Sequence, residues 1–162
     1  MKLPDPPLLL VTDRQQARLP LAEVVTAALA KACGADGVHL PSGSDAARSR
    51  ALLGAGALIG VSIHTVTEAE AIDPDTVDYA VAGPAFETAS KPGYGPEIGR
   101  KGLGEIARAA RVPVLAIGGI NVARVAEVLA AGPAGIAVMG GVMRAADPGQ
   151  AMRALLATVA GR

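Results

Sequence analysis

Two short strings carry the strongest chemical signal in this sequence. "LAIGGI" (115–120) is an apolar run that ends in a glycine pair, and "IAVMGGV" (136–142) repeats the arrangement downstream. Each pair stands just ahead of a segment with helical spacing. Glycine lets backbone N–H groups approach an oxyanion without interference from a Cβ, and a helix starting there adds a favourable dipole. The chemistry that fits is phosphate binding, by Gly118, Gly119 and Ile120 in one turn and Gly140, Gly141 and Val142 in the other. A tight turn with positive φ and no ligand would also use glycine. Two pairs in succession favour the phosphate.

Other loops offer supporting groups. "GPAFETASKPGYGP" (83–96) is a polar loop in an otherwise apolar chain. Its Thr88, Ser90 and Lys91 are spaced to bring two hydroxyls and an ammonium to a second phosphate group, although a solvated surface loop also carries such residues. In "GVSIHT" (60–65), alternation puts Ser62 and His64 on one face, which could point both into a barrel mouth. Ser62 reads as a hydrogen-bond contact to ligand, since no Ser/His/Asp arrangement can be assembled. His64 reads as a proton carrier or as a satisfied structural histidine. "DGVHLPSGSD" (36–45) adds His39 and Asp45. Mg²⁺ takes one or two carboxylates plus substrate phosphates, and Asp13 and Asp45 are the strand-end acids on offer, with Asp45 better suited to capping a helix. Zinc-ligand spacing and a Walker loop are both missing.

The elements that must position these groups alternate along the chain. Apolar runs predict strands at 8–13, 37–40, 58–64, 78–83, 113–119 and 135–141. Spacing of three and four predicts helices over 21–34, after Ser44 or Asp45, briefly at 65–72, over 101–111 and 121–132, and after Asp147-Pro148. Strands apolar throughout, separated by helices, mean an α/β fold with a parallel sheet covered on both faces. The fold class expected is a TIM-barrel-like sheet of about six βα units, two short of a closed barrel, in a single domain over 1–162.

Composition narrows the function classes. Hydrophobic residues make up 51% of the chain, yet breakers and charges interrupt every long run, so no membrane span is expected. Pro4, Pro6 and Pro7 precede the first apolar run and Asp13 closes it, which suits a first strand better than a signal peptide. The lone Cys33 cannot form an internal disulfide, which fits a reducing cytoplasm. Basic and acidic residues balance at 15 each and aromatics are 2%, so neither a basic stripe nor a stacking platform for nucleic acid is present.

Taken together, the strings "LLLVTDR", "GADGVHLPSGS", "LIGVSIHT", "DYAVAGPAFETASK", "VPVLAIGGI" and "GIAVMGGV" resemble, in order, the thiamine phosphate synthase and TenI-like thiazole tautomerase family. The resemblance implies a (βα)8-type barrel that couples hydroxymethylpyrimidine diphosphate to thiazole phosphate, with pyrophosphate leaving under Mg²⁺ assistance. It implies that Gly118, Gly119 and the Gly140–Val142 turn hold the thiazole phosphate. It also implies that Thr88, Ser90 and Lys91 contact phosphate and diphosphate, and that Ser62 lies near the pyrimidine and diphosphate. Ser62 and Lys91 are thus the catalytic candidates. Stabilising a leaving pyrophosphate is positioning and electrostatics, with little need of a nucleophile.

The chain departs from the family where "LAEVVTAALA" runs almost directly into "KACGADGVHL". The second and third βα units are missing near 28–37, and with them a diphosphate-binding Arg and Lys and an Asn-Asp pair beside the metal. The other metal aspartate falls on Ser44, with Asp45 one residue late. The strands flanking the junction must then pair directly or leave open edges that favour a homo-oligomer. "HLPSGS" is closer to the tautomerase branch, whose catalytic histidine is replaced here by Pro84. The function expected is a cytoplasmic synthase-like transferase on small phosphorylated substrates. A thiazole phosphate tautomerase and a non-catalytic thiazole-phosphate-binding remnant are the alternatives.

Overall fold

The computed structural model describes residues 36–88 and 96–161, together with the backbone of Leu10 and Val11. These form six strands: β1 (Leu10–Val11), β2 (Gly37–Leu40), β3 (Leu58–Ile63), β4 (Tyr79–Ala82), β5 (Val114–Ile117) and β6 (Gly135–Ala137). Six helices are interleaved: α1 (Ala46–Leu53), α2 (Val66–Glu70), α3 (Gly99–Ala109), α4 (Val122–Ala130), α5 (Gly140–Met143) and α6 (Pro148–Ala160). The chain divides into two compact units, one running to Ser62 and including Asp73–Tyr79, the other made of Ile63–Ile72 and Ala80 onward.

In the first unit β1 pairs with β2 in parallel, Leu10 opposite Val38 and Val11 opposite His39. The strands on either side of 28–37 therefore pair directly, the first of the two arrangements expected. Next, β2 pairs with β3 in parallel from Gly37–Leu58 to Leu40–Val61. Val38, Leu40, Ile59, Val61 and Val77 are buried here. Arg50 of α1 closes the base of this unit. It donates to Asp78 Oδ2 at 2.6 Å and to the Ala57 carbonyl oxygen at 2.6 Å, while the Ile59 N–H donates to the same carboxylate at 2.7 Å.

In the second unit β4 pairs with β5 and β5 with β6, both in parallel. The helices present apolar stripes: Leu103 and Ile106 from α3, Val125, Val128 and Leu129 from α4, and Leu155 from α6 are buried. Burial of each such Leu or Ile side chain contributes about 1.5–3 kcal/mol. Caps fix the helix starts. Thr65 and Glu68 form a capping box on α2, Asn121 caps α4, and Asp147 caps α6 ahead of Pro148.

Several boundaries differ from expectation, two of them for a visible reason. The strand expected over 135–141 stops at Ala137, because the N–H groups of Val142 and Met143 turn back onto the Met139 carbonyl and open α5. The helix expected over 101–111 begins at Gly99 and ends at Ala109. Its first N–H groups find partners in the preceding loop, Ile98 N–H on the Pro84 oxygen and Gly99 N–H on the Ala85 oxygen, both at 2.9 Å. The helix expected over 21–34, Asp13 and Cys33 lie outside the described residues.

Candidate functional site

Within the first unit, a polar group is built across three strands. His39 on β2 stands in register with Gly60 on β3. A Cβ on Gly60 would overlap the Tyr79 ring, so the bare glycine is what lets that ring lie there. Tyr79 then stacks on His39 with ring centroids 5.6 Å apart and planes 29° apart. Two residues beyond Gly60 on the same face, Ser62 Oγ lies 3.0 Å from His39 Nε2.

Burial pushes the His39 pKa below its usual 6.5, so the ring is neutral at pH 7. Its Nδ1 is buried with no hydrogen-bond partner among the described residues. A buried acceptor left unpaired is tolerated better than a buried N–H left unpaired. The Nε2–H tautomer follows, with that N–H donating to Ser62 Oγ and leaving the serine O–H free to donate elsewhere. Burial, and then the Asp78 carboxylate, raise the Tyr79 pKa, so Tyr79 stays a phenol.

Ser62 thus partners His39, a residue on another strand, and not His64. His64 lies past the end of β3 in the second unit, its Nδ1 2.5 Å from the Gly83 carbonyl oxygen and its N–H on the Glu68 carboxylate at 2.6 Å. That is the structural histidine of the two readings.

The second unit holds both glycine turns. Gly118 and Gly119 have φ of +102° and +62°, left-handed values that side chains rarely adopt. The turn lies tight against loop 83–88. A Cβ on Gly118 would come 3.0 Å from Pro84 Cα, and one on Gly119 would come 2.5 Å from the Glu87 carbonyl oxygen. The loop is tied to the end of β5 by its own amides, Ala85 N–H on the Ile117 oxygen at 2.7 Å and Phe86 N–H on the Gly118 oxygen at 3.1 Å. Arg124 completes the junction, donating from Nη1 to the Gly119 oxygen at 3.2 Å with its guanidinium 4.3 Å over the Phe86 ring.

The two turns adjoin, since a Cβ on Gly141 would lie 3.9 Å from the Ile120 carbonyl oxygen. Gly140 is buried at the start of α5, and Ile120 is buried at the end of its own turn. Among the described residues, no backbone carbonyl accepts from the N–H groups of Gly119, Ile120, Gly140 or Gly141, whereas the Val142 N–H is used on Met139. Four donors on adjoining glycine turns are the raw material of an oxyanion cradle.

The remaining candidates are more scattered. Thr88 is half-buried at the end of the described part of its loop, and Ser90 and Lys91 lie outside the described residues. Asp45 is the N-cap of α1, accepting from the Arg48 N–H at 2.8 Å. Among the described residues no three His, Cys, Asp or Glu side chains converge in a way that could hold a metal ion.

Residues 8–142 match the family described as thiamine monophosphate synthase. The chain belongs to that family. It is 44% identical over 135 residues to a thiamine-phosphate synthase of Roseiflexus sp., covering 82% of this chain and 56% of that protein. It is 41% identical over 148 residues to the thiamine-phosphate synthase of Chloroflexus aurantiacus, covering 90% of this chain and 67% of that protein. Among solved structures, thiamine phosphate pyrophosphorylase from Pyrococcus furiosus superposes with a TM-score of 0.71 at 33% identity, covering 85% of this chain and 64% of that one. The fold is accordingly TIM-barrel-like α/β, as the alternation of elements implied. As a member of the thiamine monophosphate synthase family the chain is short, spanning roughly half to two thirds of these relatives.

Sequence reasoning missed His39 and Tyr79 as partners of Ser62, and Arg124 as a partner of the glycine turn. Signals existed for both. A lone glycine inside an apolar strand marks a close approach, and Arg124 is a cation in the first turn of a helix, where the dipole disfavours it.

Proposed function

We propose that this chain is a thiamine phosphate synthase-like transferase, coupling hydroxymethylpyrimidine diphosphate to thiazole phosphate. The bond from the pyrimidine methylene carbon to the diphosphate oxygen breaks, a bond from that carbon to the thiazole nitrogen forms, and pyrophosphate leaves. The observation that carries the reading is the pair of adjoining glycine turns with unspent N–H groups, inside the segment that matches the family. In this reading Gly118, Gly119, Ile120, Gly140, Gly141 and Val142 seat the thiazole phosphate. Thr88, Ser90 and Lys91 contact phosphate and diphosphate. Ser62, oriented by neutral His39, donates its O–H to the pyrimidine diphosphate half.

Mg²⁺ is the cofactor the family implies for the departing pyrophosphate. The described residues do not fit it, because Asp45 spends an oxygen on its helix cap and no acidic cluster accompanies it. No helix among the described residues is long and apolar enough to cross a membrane.

A second reading is binding without transfer. It is favoured by the direct pairing of β1 with β2. The experiment is to mix the purified chain with both substrates and Mg²⁺, following thiamine phosphate and pyrophosphate, alongside a calorimetric titration with thiazole phosphate. Product formation supports the transferase. Saturable binding without product supports the second reading, and no binding refutes both. Enzyme-dependent aromatisation of the thiazole, read by NMR, would instead establish tautomerisation.

A further inference from the structure

Arg124 stands in the first turn of α4, where a cation opposes the positive end of the helix dipole. A residue that breaks a local rule calls for a compensating contact. Here the half-buried guanidinium folds back over the turn that precedes the helix. It donates to the Gly119 carbonyl oxygen at 3.2 Å and lies 4.3 Å over the Phe86 ring. One side chain thereby ties the left-handed turn at 118–119 to loop 83–88.

A peptide group is planar and trans, so its C=O and N–H point in opposite directions. The Gly119 carbonyl and the Ile120 N–H belong to one such plane. Pinning that carbonyl to Arg124 aims the Ile120 N–H the other way. The preceding plane is fixed in the same manner, because the Gly118 carbonyl accepts from the Phe86 N–H at 3.1 Å, which aims the Gly119 N–H away from the loop. Neither N–H meets a backbone acceptor among the described residues. Glycine at both positions would otherwise leave these planes free to rotate.

We propose that Arg124 is the positioning residue of the phosphate seat: it locks the Gly119–Ile120 peptide plane so that successive N–H groups are presented to a phosphate monoester. This rests on the reading that thiazole phosphate binds at the two glycine turns. Lysine is a poor substitute, since a point-like ammonium cannot both stack flat on a ring and hold a fixed fork geometry.

Calorimetric titration of the full chain with thiazole phosphate and with the unphosphorylated thiazole alcohol provides the test. The unaltered chain prefers the phosphate ester. Arg124→Met lowers affinity for the ester about tenfold to a hundredfold, the scale of one hydrogen bond from a charged group, and leaves the alcohol unchanged. Arg124→Lys recovers part of the loss, and Phe86→Leu produces a smaller loss in the same sense. Undiminished ester preference in Arg124→Met, or a parallel loss of both ligands, overturns the positioning role while the phosphate reading stands. No ester preference in the unaltered chain overturns that reading and this role together. Should Arg124→Met fail to fold, the Ile120 amide proton decides the matter by NMR. It moves downfield when the ester binds the unaltered chain and moves less in Arg124→Lys; equal movement in both overturns the proposal.

Discussion

Gly119→Ala tests whether the first glycine turn owes its residue type to backbone conformation alone or also to the approach of the neighbouring loop. The φ of Gly119 is +62°, a left-handed value. Placing any other L-residue there costs about 1–2 kcal/mol. The added methyl would also stand 2.5 Å from the Glu87 carbonyl oxygen and 2.8 Å from Phe86 Cβ. Both neighbours are held, the loop being hydrogen-bonded to β5 through Ala85 and Phe86, so the overlap is relieved only by moving backbone. Overpacking of that kind adds about 1–3 kcal/mol. The sum is about 2–5 kcal/mol.

Gly43→Ala is the matched control, because its φ is +73° and nothing lies within 4 Å of the position a Cβ would take. It carries the conformational cost alone, about 1–2 kcal/mol. Urea denaturation of both variants isolates the contact with the loop as the difference, about 1–3 kcal/mol. In thermal unfolding, each kcal/mol corresponds to about 2–4 °C for a chain of this size. If Gly119→Ala proves no more destabilising than Gly43→Ala, the packing of loop 83–88 onto the turn is refuted.

Three further outcomes follow from the contacts described. Asp78→Ala removes the acceptor shared by Arg50 and the Ile59 N–H and destabilises by about 1–3 kcal/mol; in a double-mutant cycle with Arg50→Met, measured by denaturation, the two losses are less than additive. The folded-state pKa of His39 lies below the 6.5 of the unfolded chain. The unfolded state therefore binds the extra proton between the two values, and the stability contribution is whole above 6.5 and drains away as pH falls through the folded value. Denaturation as a function of pH should show this acid-side slope, and His39→Gln should flatten it. Asp45→Ala loses the cap of α1 and about 1 kcal/mol. Its melting shift should be the same with and without Mg²⁺, and a shift seen only with Mg²⁺ would make Asp45 a ligand.

The strands were legible to within a few residues because each is an apolar run bounded by Pro, Gly or Asp. The helix starts were legible where a side chain does the capping, at Asp45, Thr65, Asn121 and Asp147. The expectation failed at 138–143, where the apolar pattern continues but the chain leaves the sheet. Two glycines have no rotamer preference to announce a helical turn, and the backbone bonds to Met139 decide it. The site divided in a similar way. The glycine pairs are local, so their turn geometry could be read directly, whereas His39, Gly60, Ser62 and Tyr79 meet through strand register. Register is a property of pairing, and no periodicity in one strand reports what its neighbour places opposite.

That contrast bears on how the two units share the work of a site. The proposed phosphate seat draws on β5, α4, the residues after β6 and loop 83–88, all of which lie in the second unit, where hydrogen bonds join the loop to the end of β5 and Arg124 of α4 to the first glycine turn. The Ser62 arrangement draws on β2, β3 and Tyr79, all within the first unit. In a sheet of parallel strands each loop arrives with its own strand and helix, so the chemistry of an absent βα unit is lost as a packet while loops supported elsewhere retain their geometry. Binding of the phosphate monoester and transfer onto it should accordingly be separable in this chain. Affinity for thiazole phosphate would survive conditions or variants in the first unit, His39→Gln among them, that abolish product formation. Concerted loss of binding and transfer in His39→Gln, with the fold intact, would show that the two functions are not independently supported.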